Sequence, residues 1–225
     1  MGKMISLEEH LQGVIHAHEV LSEPYIIKYF GEKYIVFPKV FSPVLTASTT
    51  TAIRSMLKRR KDFEGRTILD MGCGCGVLAI EALKLGAAFG VAVDISNAAF
   101  QNTLENIRRL GMEKILEVVE SDLFSKVREH GGFDVVLANL PLADRKPESE
   151  LERAFFDEGY LTTERFLKSV GDRLVSGGKV FFNCASISDT PRILRWAIDN
   201  HLLVEEVDLF EEYVFDHYVF VFRKS

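Results

Sequence analysis

Between Thr67 and Gly86 the chain reads TILDM, then glycine at every second position (Gly72, Gly74, Gly76), then VLAIEALKLG. The first piece is a short apolar run and the last has helical apolar spacing that stops at Gly86, so the order is strand, glycine loop, helix. The unit recurs. VAVDI predicts a strand and Asn97 to Leu110 a helix closed by Gly111, followed by strands over LEVVESD and over FDVVLANLP, which opens after Gly131-Gly132. Glu164 to Leu174 predicts a helix, Ser176-Gly177-Gly178 a turn, KVFFNCA a strand and Pro191 to Asn200 a helix. LLVEEVDLFEEYVFDHYVFVFRK predicts two final strands. Strands that are nearly continuous apolar runs are covered on both faces, which predicts a three-layer α/β fold with a mostly parallel sheet.

Upstream, Leu7, Leu11, Val14, Ile15 and Val20 follow a Ser6-x-x-Glu9 capping pattern and predict a helix from Ser6 to about Leu21. Tyr25 to Val40 predicts a hairpin turning at Gly31-Glu32, and Ser42-Pro43 a helix start running through Leu57. Residues 1–41 are accordingly read as a helix and hairpin extension, and 42–225 as the main domain. At 225 residues and 47% hydrophobic content the chain can bury a large core, and no Pro/Gly/Ser linker splits it.

Composition also narrows the function. A net charge of −6 gives no bulk field for polyanions, although Lys58-Arg59-Arg60-Lys61 is a local basic run, read as a solvated helix end or a phosphate contact. Runs such as VFDHYVFVF are too short and too charged to span a bilayer, and MGKMISLEEH lacks a signal peptide's apolar core. A soluble, cytoplasmic protein without membrane partners is expected. Three cysteines make no disulfide framework or zinc spacing, and Cys73 and Cys75 read as small side chains in the loop. His16 and His18 stand two apart on different helix faces, which makes them surface histidines rather than ligands, and no metal is expected.

The glycine loop needs close approach of backbone to a ligand, and the helix behind it offers free N–H groups. Asp94 ends the next strand eighteen residues past Gly76, where a carboxylate can accept both ribose hydroxyl protons. A dinucleotide fingerprint would place its third glycine at Val77 rather than Gly76, which disfavours a nicotinamide oxidoreductase. ILDMGCGCGVLAIEALKLGA with VAVDIS resembles motif I and the following acidic motif of the class I S-adenosylmethionine-dependent methyltransferases, over roughly residues 40 to 225. The resemblance implies a Rossmann-like seven-stranded sheet with an antiparallel last strand and S-adenosyl-L-methionine as cofactor, leaving as S-adenosyl-L-homocysteine. It further implies that Gly72, Gly74 and Gly76 cradle the methionine end, with Asp70 and Ile95 also at the cofactor, that Asp94 holds the ribose, and that Asp122 reads the adenine amino group. Leu123 and Phe124 would then sandwich the base; without a ligand Asp122 would simply cap a helix.

Asn139-Leu140-Pro141-Leu142 closes the strand FDVVLAN and is similar to the Asn/Asp-Pro-Pro-aromatic motif of amino-group methyltransferases, with Leu140 and Leu142 as departures. A planar amide or exocyclic amine has a delocalised lone pair, so an Asn139 oxygen and a backbone carbonyl that accept its N–H bonds would let density collect on nitrogen. Pro141 fixes the carbonyl direction. Asn139 and Pro141 are the expected catalytic pair, with Asn139 also at the cofactor. VFPKVFSP with Thr46 and Ser48 resembles the segment before motif I in release-factor glutamine and small-domain ribosomal RNA guanine methyltransferases, which nominates Phe41 and Thr46. Ribosomal-protein methyltransferases also carry Asn followed by apolar residues here. The expected activity is methyl transfer to an amide or amine nitrogen, the acceptor being a protein glutamine or amine, a nucleic-acid base or a small molecule. A protein that binds the cofactor without transferring it is the reading from another class.

Overall fold

A computed structural model describes residues 6–128 and 130–225 of the chain. It opens with α1 (Leu7–Glu19), where the capping box forms: the Glu9 N–H donates to Ser6 Oγ and the Ser6 N–H to Glu9 Oε2. An antiparallel hairpin follows, β1 (Tyr25–Tyr29) and β2 (Glu32–Val36). Its two-residue turn, Phe30-Gly31, has φ of 45° and 88°, the mirror-image turn whose twist matches paired strands.

Next come α2 (Ser48–Lys58), β3 (Thr67–Met71), α3 (Val77–Lys84), β4 (Phe89–Asp94), α4 (Asn97–Arg109), β5 (Leu116–Glu120) and β6 (Phe133–Ala138). The chain finishes with α5 (Leu161–Arg173), β7 (Leu174–Ala185), α6 (Thr190–Asp199), β8 (Leu202–Phe210) and β9 (His217–Lys224). Seven strands form one sheet in the order β5-β4-β3-β6-β7-β9-β8. Every neighbouring pair is parallel except those made by β9, the last strand, which runs antiparallel to both β7 and β8.

Because side chains alternate across a strand, β3 feeds both faces: Ile68 packs in a cluster with α2, α3, α4 and the hairpin, and Leu69 in one with α5 and α6. A third, small cluster joins Val14 and Ile15 of α1 to Leu151, Phe155 and Phe156. Among the described residues no helix is long and apolar enough to cross a membrane.

Three boundaries differ from expectation. The helix expected from Ser42-Pro43 begins only at Ser48, because the Ser42 N–H is taken by His18 Nε2 at 2.8 Å and residues 42–45 close a turn instead. The helix expected from Glu164 begins at Leu161, where both oxygens of Asp157 cap the N–H groups of Thr162 and Thr163 at 2.9 Å. Ser176-Gly177-Gly178 is not a turn between elements but a bulge inside β7: Phe133 pairs with Leu174 and Val135 with Lys179, and Gly177 takes a φ of 71°. The basic run is also less free than expected, since Lys58 and Arg59 pair with Asp208, Arg59 also with Glu206, and Arg60 with Glu64.

Two amides on α4 fasten the hairpin to the sheet. Asn102 accepts from the Phe37 N–H, Asn106 accepts from the Ile35 N–H, and both donate to Ile35 O. Asn106 also donates to Cys75 O at 2.8 Å, so one fully buried side chain ties hairpin, α4 and glycine loop together. Asn106→Ala takes the side-chain partner from the Ile35 N–H and from Cys75 O, Ile35 O keeping Asn102, and is expected to cost about 1–3 kcal/mol in urea denaturation, with faster hydrogen exchange at Ile35.

Candidate active site

Strand order reverses at β3: β4 and β5 lie on one side, β6 and β7 on the other. In such sheets the ligand crevice opens beyond the carboxyl ends of the strands at the reversal. A cleft of about 490 Å³ is found there, between the glycine loop that ends β3 and the Asn139 segment that ends β6.

The loop is held from below. The N–H groups of Gly72 and Cys73 donate to Val93 O at 2.8 and 3.0 Å, and Thr103 Oγ1 donates to Gly74 O at 2.9 Å. Gly72 and Gly74 line the cleft, and at Gly74, with φ of 57°, no atom lies within 4 Å of where a Cβ would stand, so the loop faces open space. Gly76 serves otherwise. A Cβ there would sit 2.8 Å from Thr103 Cγ2, so this glycine lets α4 approach the loop and does not line the cleft.

Asp70 lies beneath the loop rather than in the cleft. Its Oδ2 accepts the Ala79 N–H at 3.1 Å, fixing the start of α3, while Oδ1 is buried without a partner. Burial pushes its pKa up to about 7. Asp94 does line the cleft, its oxygens accepting the N–H groups of Gly74 and Ser96 at 2.9 Å each. Burial raises this carboxyl too, against those backbone hydrogen bonds. Ile95 is exposed at the cleft edge. Asp122 lines the cleft while pairing with Arg165 at 2.9 Å, and Leu123, at φ of 47°, stands beside it. Phe124 turns away, stacked on Phe166 in the core with centroids 5.9 Å apart, so it cannot sandwich a base as expected.

Across the cleft, Asn139 Nδ2 points at Ser48 Oγ and Thr49 Oγ1, at 3.4 and 3.5 Å, long contacts from the first turn of α2. This leaves Oδ1 for a ligand. Leu140, Pro141 and Leu142 all line the cleft, Leu140 being buried against Gly72 with its Cδ2 at 3.5 Å from the would-be Cβ. Phe41 and Thr46 are also in the lining.

Sequence reading missed much of this far side: His10, Leu11 and Val14 on α1, Phe155 and Phe156, and Ile187, Phe215 and His217. His18, expected on the surface, is 2% exposed. Its Nδ1 lies 2.7 Å from Val14 O and its Nε2 accepts from Ser42, which fixes a neutral ring between Phe41 and Phe155; burial lowers its pKa accordingly. The one available sequence signal was a histidine opening the apolar strand HYVFVF.

With this geometry the model of the ribosomal protein L11 methyltransferase (PrmA) family matches residues 46–163, just over half the chain. The chain belongs to that family. Ribosomal protein L11 methyltransferase of Thermotoga maritima is 46% identical over 77 residues, 34% of this chain and 28% of that protein. The Pectobacterium carotovorum protein of the same name is 40% identical over 106 residues, 44% and 33% of the two chains. The chain therefore spans about a third of the length of these relatives. Among solved structures, the ribosomal protein L11 methylase of Lactobacillus delbrueckii shares the fold at a TM-score of 0.61 and 21% identity, over 83% of this chain and 82% of that one. The Thermus thermophilus 16S rRNA N2 G1207 methyltransferase, described in complex with AdoMet and guanosine, does so at 0.66 and 18%, over 90% and 50%. PrmA membership and these neighbours give the chain its class I methyltransferase fold.

Asp70 generates a pH signature. Its folded pKa stands above the unfolded value, so the folded state binds the proton more tightly; this contribution is full below about pH 4 and is lost as pH rises through about 7. In Asp70→Asn, stability relative to the parent chain is expected to climb between pH 4 and 7 and then level off. Urea titrations across that range read the slope, and a flat difference rejects the buried carboxyl.

Proposed function

We propose that this chain is an S-adenosylmethionine-dependent methyltransferase acting on an amide or amine nitrogen. One observation carries the reading: the reversal of strand order sets the open face of the glycine loop, the Asp94 carboxylate and the Asn139 amide around a single cleft. The open space at Gly74 and the carboxylate at the end of β4 fit a methionine moiety followed by a ribose. When bound, the cofactor supplies an electrophilic methyl carbon on a sulfonium.

The chain's own residues do the rest. Gly72 and Gly74 leave room for the methionine end, Asp94 accepts from the ribose hydroxyls, and Asp122 with Leu123 meets the adenine. Ile95 edges that half of the cleft. Asp70 and Gly76 act indirectly by fixing α3 and α4 against the loop. Asn139 Oδ1 accepts from the acceptor nitrogen, Pro141 sets the direction of the adjoining carbonyl, and Ser48 and Thr49 hold the Asn139 amide in that orientation. The transfer needs no proton on the leaving thioether, so positioning supplies most of the acceleration.

The Asn-x-Pro segment further supports placing the chain with the release-factor glutamine and small-domain methyltransferases in mode of action. We also propose that residues 1–41 form an extension, its α1 roofing the acceptor side of a domain spanning 42–225. The relatives are named for ribosomal protein L11, and a protein acceptor suits a chain of net charge −6 better than a nucleic acid does.

Two variants separate binding from transfer. Asp94→Ala is expected to weaken S-adenosylhomocysteine binding by roughly tenfold to a hundredfold in calorimetry, since it removes a charged hydrogen-bond acceptor. Asn139→Ala is expected to leave that affinity unchanged and to lower kcat on the order of a hundredfold. Undiminished turnover in the Asn139 variant rejects its catalytic role.

A further inference from the structure

The two ends of the sheet are finished differently. β5, at one end, is five residues long and none of them is exposed. β8, at the other, runs for nine residues, and Leu203, Val204, Val207 and Leu209 are 46%, 41%, 48% and 52% exposed along it. Among the described residues the main chain of β8 bonds only to β9, so its outward row of N–H and C=O groups has no protein partner. A long apolar edge of this kind is a template for another strand unless proline, irregularity or bare charge protects it.

Over the second half of β8 each of those protections is absent or already used. The strand contains no proline, and its one irregularity is the bulge at Glu205, where Val204 pairs with Phe222 and Glu206 with Val221. Glu206 to Phe210 is then an unbroken stretch, paired residue for residue with Val221 to His217. Its carboxylates are matched inside the chain: Glu206 by Arg59 at 2.6 Å, and Asp208 by Lys58 at 2.8 Å and by Arg59 as well. Even the bulged Glu205 meets Lys179 at 2.9 Å and Arg223 at 3.7 Å. Two cations therefore stand against two anions at the edge. A strongly acidic or basic partner finds no free counter-charge there, and a second copy can approach without setting bare carboxylates against each other, even though each chain carries a net charge of −6.

The partner that fits a neutral, apolar edge of this length is the same edge. We propose that β8 is the contact between two copies of this chain, paired antiparallel through Glu206–Phe210 about a two-fold axis at Asp208. That register sets Val207 of each copy against Leu209 of the other, on the face where β9 places Phe220 and Tyr218. The Lys58-Arg59-Glu206-Asp208 clusters meet on the opposite face. A nine-residue strand is about 30 Å long, so with its flanking side chains the contact falls at the low end of specific interfaces, about 1,200 Å² in total. A dimer forming at micromolar concentration follows. It is closed, because a two-fold contact uses the same surface on both copies.

The pairing also disposes the clefts. No residue of β8 lines the cleft, so both copies keep theirs open. β8 is antiparallel to β9, which is antiparallel to β7, so β8 points the same way as β3. The two-fold reverses that direction in the second copy. Two seven-stranded sheets thus join into one, with the clefts opening at opposite ends of it and each able to take its ligands independently.

The test is sedimentation velocity on the full chain between about 1 and 100 μM, the range in which an interface of this size associates. The parent chain is expected to pass from monomer to dimer. Val207→Lys is expected to weaken the dimer on the order of a hundredfold, since it sets a charge into the apolar pair, with far-UV circular dichroism unchanged. Leu209→Lys does the same from the other side of the pair and is read alone if the first variant does not fold. Ile26→Lys, 59% exposed on the hairpin, leaves the dimer intact. Hydrogen exchange supplies a second readout: amides of Glu206–Phe210 are expected to slow as the parent chain is concentrated and to stay fast in Val207→Lys. A monomer at 100 μM, a dimer indifferent to both lysine variants, an assembly larger than a dimer, or β8 amides whose exchange ignores concentration overturns the proposal.

Discussion

Everything in this protein is referred to one strand. β3 is hydrogen bonded in parallel to β4 on one side and to β6 on the other, and it is where the direction of winding changes. Parallel pairing forces each crossover to run over a face of the sheet, so the helix after β3 leaves one way and the chain returns later to lay down β6 the other way. The carboxyl ends of two adjacent strands are thus left uncovered by any direct connection. A cleft at that point follows from topology before any side chain is chosen, and the glycine loop, Asp94 and Asn139 are what the sequence installs around it.

What was legible in the sequence is the part written in local pattern. The apolar runs of β3, β4 and β6 and the glycines after β3 announce themselves over windows of ten or so residues, and the same windows carry Asp94 and Asn139. Elements set by distant partners were not legible. Ser42-Pro43 looks like a helix start, yet the Ser42 N–H is claimed by His18, twenty-four residues earlier. Gly76 reads as one of three cradle glycines until Thr103 of α4 is seen lying against it. Phe124 is an aromatic in the right place for stacking on a base, but its ring packs on Phe166 in the core instead. The far wall of the cleft is the extreme case, since α1, the stretch around Phe155 and the start of β9 meet only in three dimensions.

That far wall is also built differently from the near one. The glycine loop is fastened by backbone hydrogen bonds to β4 and by two side chains of α4, Thr103 and Asn106, so it is rigid by construction. The roof rests on a small cluster of five buried residues, Val14, Ile15, Leu151, Phe155 and Phe156, and on the His18 ring lodged between Phe41 and Phe155. A small cluster holds less free energy than the main core, so α1 opens more readily than the sheet beneath it. The near wall is therefore the firmer of the two.

The same division shows in how charge is treated. Asp70 and Asp94 are carboxyls whose pKa burial raises, and each is tolerated because backbone N–H groups of the loop or the adjoining helix accept part of the burden. Their cost is spent on geometry: Asp70 fixes the first turn of α3, and Asp94 fixes Gly74. On the far wall two buried histidines, His18 and His217, have pKa values lowered by burial. His18 uses both ring nitrogens on the protein itself, and His217 leaves Nδ1 without a partner. The His18 ring thereby closes the roof between Phe41 and Phe155.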